Sequence, residues 1–417
     1  MGRVQAGIDT RVAAVAFSTS AMNLREAPKL ALSILALLLL VACGGGSSGS
    51  GAPEPPEPAA YTYSVPANRA DGWQVADISS EGFESQQIID MMERVVSERF
   101  EGIDSVAIVR NNKLLLYWFA NRELDEFDDW IGNTNGERHV LHSTSKSFTS
   151  ALVGIAIDQG YIDSTQVSFY DLFDYTTYSN WDPRKAEMTL EDVLTMRLGL
   201  QWDEWTLPYT DTENDLVALT RAHLDWAKAL LDLPMVNDPG AVFVYNTAAT
   251  NALGQAVQNA TGMPLAEFAN VNLFYPMQIT DAEWSTTPVN LPVGGSGLFL
   301  RTRDLVKFGQ LYLDNGSWQG QQLISADWIA DSVVRRVDIS SWARFSAAYG
   351  FQWWLDDFDY NGETVEAWVT SGYGGQYMFV VPSLELVVGF TGHNYDFGPG
   401  IENLYFMMQH HIIDAIN

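Results

Sequence analysis

Residues 139–160 read HVLHSTSKSFTSALVGIAIDQG. Ser143 stands three residues before Lys146, at the head of a run in which Phe148, Leu152, Ile155 and Ile157 make the following helix broadly apolar. Such a helix is expected at the centre of a fold, buried on most sides. Positions i and i+3 share one helical face, so the lysine amine can reach the serine hydroxyl. Taken alone the pair has two readings: a nucleophile with its base, or a helix-capping serine beside a surface lysine. Acyl transfer by serine needs a base to take its proton and donors for the developing oxyanion. A lysine can be that base only when neutral, so burial or nearby cationic or donor groups must bring it down from an ordinary value of about 10.4. A lysine heading a buried helix is costly without such a task or a partner, and no other S-x-x-K occurs in the chain.

Working outward, Ile88, Ile89, Met92, Val95 and Val96 recur at helical spacing and predict a helix over Ser85 to Phe100. DSVAIVR (104–110) and LLLYWFA (114–120), joined through Asn111, Asn112 and Lys113, predict an antiparallel hairpin. A helix followed by a hairpin argues against a doubly wound parallel sheet. Residues 147–285 read as mostly helical and irregular; within them TLEDVLTMRLG (189–199) has a capping-box start at Thr189 and Asp192 and a stop at Gly199. TVEAWVT (364–370), GQYMFVVP (375–382) and LELVVGFT (384–391) predict three closing strands, and Ile401, Leu404, Tyr405, Met408, Ile412 and Ala415 share a face of a final helix. The expected fold is α+β: an antiparallel sheet built from both chain ends, flanked by N- and C-terminal helices, with a mostly helical subdomain inserted.

Two further segments suit acyl chemistry. GAVFVYNTAATNALGQAV (240–257) places Tyr245 between a strand-like run and a helix, where a phenol of lowered pKa serves as base or proton shuttle and an ordinary core tyrosine is the competing account. TSGYGGQYMFVV (370–381) sets small residues at a strand head, where backbone N–H groups approach a ligand closely, unless it is simply a glycine-rich strand entry. In this order STSK, YNT and YGG resemble the S-x-x-K, Y-x-N and K-T-G motifs of the penicillin-binding-protein and class C β-lactamase superfamily. LTMRLGL (194–200), residues 294–318 and YGFQWWL (349–355) are similar to its framework segments, so the resemblance runs from about Ser85 to the C-terminus.

The resemblance implies a groove between a sheet domain and a helical domain. It implies Ser143 as acylated nucleophile, Lys146 as proton acceptor and Tyr245 as the group that passes the proton to the leaving group, with the backbone N–H groups of Ser143 and Gln376 as oxyanion hole. Thr247, Tyr373, Gly374 and Gly375 would contact substrate. Two positions depart from the pattern: Thr247 replaces an asparagine that holds a substrate amide, and Tyr373 replaces the lysine that attracts a carboxylate. These departures turn the expectation from a true β-lactamase or DD-peptidase towards family VIII esterases and 6-aminohexanoate-dimer-hydrolase-like enzymes acting on a small ester or amide. A peptidoglycan DD-peptidase and a non-catalytic binding or sensor lipoprotein of the same fold are the alternatives. The aromatic and acidic stretches 169–181 and 201–215 either wall the groove, with Asp203 or Glu204 favouring an amine-bearing substrate, or pack beneath a loop.

The chain of 417 residues has a formal net charge of −29, whose field repels nucleic acid and anionic membrane surfaces. Arg25 and Lys29 precede an apolar run of 13 residues, 30–42, too short to span a bilayer and suited to a signal peptide covering residues 1–42, with Met22 a plausible start. It ends Leu40-Val41-Ala42-Cys43, which resembles a lipobox and implies lipid attachment at Cys43, the single cysteine. Residues 43–61 then read as a Gly/Ser/Pro tether and 62–417 as the hydrolase domain. Gly44 lacks the aspartate signal for the inner membrane, so the expectation is an exported protein anchored in a Gram-negative outer membrane, facing the periplasm and touching the membrane only through its lipid. Outside the Gly/Ser-rich tether neither G-x-S-x-G, nor a Walker loop, nor the G-x-G-x-x-G of dinucleotide-binding proteins occurs. His139 and His142 lack the companions of a zinc site and are expected to be structural; neither metal nor cofactor is called for.

Overall fold

The computed structural model describes residues 61–121, 137–287, 289–395 and 400–417, which belong to one unit, Glu57–Asn417. The expected signal peptide, Cys43 and the expected tether up to residue 60 lie outside the described residues. In chain order the strands are β1 (Gln74–Val75), β2 (Ile103–Arg110), β3 (Lys113–Phe119), β4 (Arg138–Val140), β5 (Glu283–Trp284), β6 (Leu298–Arg301), β7 (Ser317–Trp318), β8 (Gln321–Gln322), β9 (Val337–Asp338), β10 (Ala348–Tyr349), β11 (Trp354–Tyr360), β12 (Glu363–Gly372), β13 (Gln376–Val381) and β14 (Leu386–Gly392). The helices are α1 (Ser85–Val96), α2 (Ser145–Asp158), α3 (Leu190–Leu194), α4 (Asp215–Ala222), α5 (Trp226–Leu231), α6 (Thr247–Thr261), α7 (Leu265–Ala269), α8 (Thr302–Leu313), α9 (Ala326–Ser332) and α10 (Gly400–Met407).

Nine strands form the main sheet in the order β1-β3-β2-β14-β13-β12-β11-β10-β9. The hairpin β2–β3 turns through Asn111 and Asn112 at φ 50° and 59°, a geometry that asparagine tolerates and that matches strand twist. The last strand, β14, lies against β2, so both chain ends share the sheet. The sheet departs from a purely antiparallel one at its edge, where the short β1 pairs parallel to β3. One face is covered by α1, α10 and the π-helical turn Met408–Ile413, which bury Ile88, Met92, Leu404 and Ile412. The other face takes α8, which comes close because a Cβ at Gly309 would overlap Val387.

Behind α8 sits α2, buried from Ser145 to Ala156. Phe148 stacks on Phe308 with ring centroids 3.9 Å apart, and burying a ring of this kind contributes about 2 kcal/mol. Helices α3, α4, α5 and α7 join α2 and α6 in one continuous core.

Three helix ends differ from the pattern expected. The first helix stops at Val96, because Glu98 takes φ 57° and the amides of Arg99 and Phe100 turn back to Arg94 O, which buries Phe100. The Thr189–Asp192 capping box forms, yet α3 ends at Leu194 rather than near Gly199, since Met196 adopts φ 59° and is buried. The final helix widens at Met408, and Ile401, which the helical face had placed inside, is 43% exposed.

Candidate active site

The head of α2 is set by a short 3-10 turn, His142–Thr144, that follows β4. His142 holds φ 45°, an uncommon conformation for a side-chain-bearing residue, directly before Ser143. Its ring stands edge-on to Tyr373 and Tyr395, with centroids 5.9 and 5.8 Å away. Gly372, the end of β12, faces this turn so closely that a Cβ would overlap the Leu141 carbonyl oxygen. Thr144 Oγ1 donates to Gln376 O at 2.7 Å, tying the residue after Ser143 to the head of β13.

Lys146 donates to Ser143 Oγ at 2.9 Å, to Thr247 Oγ1 at 2.9 Å and to Gly295 O at 2.8 Å, if all three contacts are taken as those of an ammonium. Burial brings this amine down from 10.5 to about 7, against an opposing pull from the Glu204 carboxylate. Near neutral pH it can therefore accept the Ser143 proton. Its Nζ lies 4.9 Å from the centre of the Tyr245 ring. Tyr245 departs from the expectation of a lowered pKa: burial, with the Glu204 charge adding to it, raises the phenol, and the Ser143 hydroxyl beside it offsets this only in part. It keeps its proton at neutral pH, so of the two groups the phenol is the one able to donate and the Lys146 amine the one able to accept.

Thr247 opens α6 after the N-cap Asn246. Its amide and its hydroxyl both donate to Glu204, at 2.6 Å each. Thr247 is buried and lies behind Lys146 instead of on the cavity wall. Gln376 is also buried; its side-chain amide bonds with Gly392 in both directions and donates to Tyr373 O, which leaves the backbone as its means of meeting an oxyanion. Tyr373 brings no cation: its phenol donates to Tyr395 O at 2.7 Å and its ring packs on Tyr209. Gly374 and Gly375, at φ 85° and 103°, shape the loop that lines the cavity between β12 and β13.

The cavity measures about 480 Å³ and opens onto Ser143, Tyr245 and the 372–375 loop. One wall is aromatic: Trp205 sits 4.8 Å from Trp342, and Trp342 stacks on Trp354 at 5.9 Å. Of the two aromatic stretches, 201–215 reaches the cavity through Glu204, Trp205, Leu207, Pro208 and Tyr209. The other, 169–181, does not; its rings pack on one another, as Tyr170 does on Tyr178 at 4.9 Å. Asp203 is spent on a turn, accepting from the amides of Trp205 and Thr206 at 3.0 Å. His139 is buried between Val140 O and Asp104, and among the described residues no cluster of His, Cys, Asp and Glu could hold a metal ion.

Sequence reasoning missed Gly295, whose part is played by a carbonyl that carries no side-chain signal, and Trp342 and Trp354, which showed no periodicity pointing to a cavity. For Glu204 the sequence points only to a partner for a substrate amine.

Residues 92–400 match the Beta-lactamase family. The chain is 26% identical over 268 residues to the 6-aminohexanoate-dimer hydrolase of Paenarthrobacter ureafaciens, a match covering 60% of this chain and 64%, just under two thirds, of that relative. Among solved structures it is similar to the octameric penicillin-binding protein homologue from Pyrococcus abyssi (TM-score 0.59, 14% identity, 78% of this chain and 76% of that one). It is also similar to a family VIII carboxylesterase (TM-score 0.57, 15% identity, 79% and 96%). At these identities the structural likenesses speak to the fold, an α+β sheet with a helical region. With more than half of its length matched, the chain belongs to the beta-lactamase family.

Proposed function

We propose that this protein is a serine hydrolase that opens an ester or amide bond through an acyl-serine intermediate. The observation that carries the reading is a buried Lys146 amine, brought to about 7, with its nitrogen 2.9 Å from Ser143 Oγ. In acylation, Lys146 Nζ takes the Ser143 proton as Oγ bonds to the substrate carbonyl carbon. The oxyanion is met by the backbone N–H groups of Ser143 and Gln376. The tetrahedral species collapses as the bond to the leaving group breaks, and Tyr245 gives that group its phenolic proton, which the Lys146 ammonium replaces. Water then enters by the reverse route, losing a proton to the same base, and frees the acid and Ser143.

The absence of a cation at Tyr373 and the Trp205–Trp342–Trp354 wall favour a neutral, apolar acyl group over one that carries a carboxylate. The relative named as a 6-aminohexanoate-dimer hydrolase and the neighbour named as a carboxylesterase support amide and ester as the bond classes to compare. Turnover of a short-chain p-nitrophenyl ester by the wild type, absent in Ser143→Ala, is the expected result; equal turnover in both would refute the assignment.

The same proposal places the protein outside the cytoplasm on a lipid carried by Cys43, supported by the Leu40-Val41-Ala42-Cys43 sequence after a short apolar run. Mass spectrometry of the N-terminal peptide is expected to find a diacylglyceryl group on Cys43. An unmodified, uncleaved N-terminus would count against it.

A further inference from the structure

A neutral amine has two N–H donors and one lone pair, so its three oxygen neighbours decide where the lone pair points. Gly295 O can only accept, and takes one N–H of Lys146. Thr247 Oγ1 is ambivalent, because a hydroxyl donates one hydrogen and also accepts. Its ambivalence is removed by Glu204, whose Oε1 stands 2.6 Å from it. Glu204 is met by four donors: the Thr247 amide and Trp202 Nε1 at Oε2, and the Thr247 and Tyr209 hydroxyls at Oε1. Four donors match the acceptor capacity of a carboxylate. With its hydrogen spent on Glu204, Thr247 Oγ1 can only accept the second N–H of Lys146. The lone pair is then left for the third neighbour, Ser143.

We infer that Glu204, acting through Thr247, is a positioning residue that aims the lone pair of Lys146 at the Ser143 hydroxyl. The inference rests on the reading of Lys146 as the base. It also accounts for a threonine at a position where the resembling motif carries asparagine, since a hydroxyl is a directed partner for the amine only with a fixed acceptor behind it. In Glu204→Gln the carboxamide can satisfy the Thr247 amide with its oxygen only by turning its NH₂ towards Thr247 Oγ1. The threonine hydrogen would then be free to occupy the Lys146 lone pair.

The test compares wild type, Glu204→Gln, Thr247→Val and Thr247→Ser by kcat, KM and pH profile on a short-chain p-nitrophenyl ester. Glu204→Gln and Thr247→Val are expected to lose roughly 10- to 100-fold in plateau kcat with KM within about twofold, a part of what a general base supplies. Thr247→Ser, which keeps the hydroxyl, is expected to retain most of the rate. The titratable groups facing the Lys146 amine are Glu204 and Tyr245, with Tyr209 one bond further. Removing the Glu204 charge should therefore move the acidic limb to lower pH while the plateau falls, a combination that loss of packing does not produce. An unchanged plateau in Thr247→Val, or Thr247→Ser as impaired as Thr247→Val, would overturn the inference. Wild-type turnover equal to that of Ser143→Ala would instead refute the hydrolase reading.

Discussion

The acidic limb of the rate profile tests the base directly. Burial takes Lys146 from 10.5 to about 7, a net displacement worth about 5 kcal/mol against the ammonium after the Glu204 carboxylate has offset part of the lost solvation. Only the neutral amine accepts the Ser143 proton, so kcat/KM rises with pH up to about 7 and is level above it. Two pH units below the midpoint about one molecule in a hundred is competent, so kcat/KM on a p-nitrophenyl ester should fall roughly 100-fold between pH 9 and pH 5. The assay follows the phenol at its isosbestic wavelength, and kcat/KM is used because it reports acylation of the free enzyme whatever the fate of the acyl group. The amine is 2% exposed as a residue, so raising salt should leave the limb almost in place. A limb centred above pH 9, or a rate constant down to pH 5, would refute the reasoning.

Two further outcomes follow from the same geometry. Gly372→Ala puts a Cβ onto the Leu141 carbonyl and against Gln376, so the 142–144 turn and β13 must part; a loss of about 2 kcal/mol in stability together with reduced acylation is expected, and a variant with wild-type melting and kcat would contradict it. Asp356 lies buried beneath Tyr405, whose phenol donates to it, and burial pushes its carboxyl up to about 7. The folded protein then holds a proton that the unfolded chain has lost between about pH 4 and pH 7, and stability due to this group falls across that window by about 1.4 kcal/mol per pH unit. Urea unfolding of Asp356→Asn should lack that component, gaining on the wild type as pH rises from 4.5 to 8; parallel curves for the two proteins would refute it.

Local order was legible because its causes are local. Ser143 and Lys146 meet through helical spacing, Asn111 and Asn112 set a hairpin through their own backbone preferences, and Thr189 and Asp192 cap a helix within one turn. Short β-rich runs bounded by turn residues, together with helical apolar spacing, sufficed to place the sheet at both chain ends with a helical insert between. What the fold alone decided depends on groups far apart in the chain. The basicity of Lys146 comes from the packing that dries it, and its orientation from Thr247, Gly295 and, through Thr247, Glu204. The direction of the Tyr245 shift reversed because desolvation outweighs one nearby hydroxyl. Which aromatic stretch walls the cavity was likewise a matter of tertiary contact, since 169–181 and 201–215 are alike in composition and differ only in what folds against them. Spacing along a chain can bring two reactive groups within reach, but a pKa and a hydrogen-bond direction are set by everything that excludes water from them.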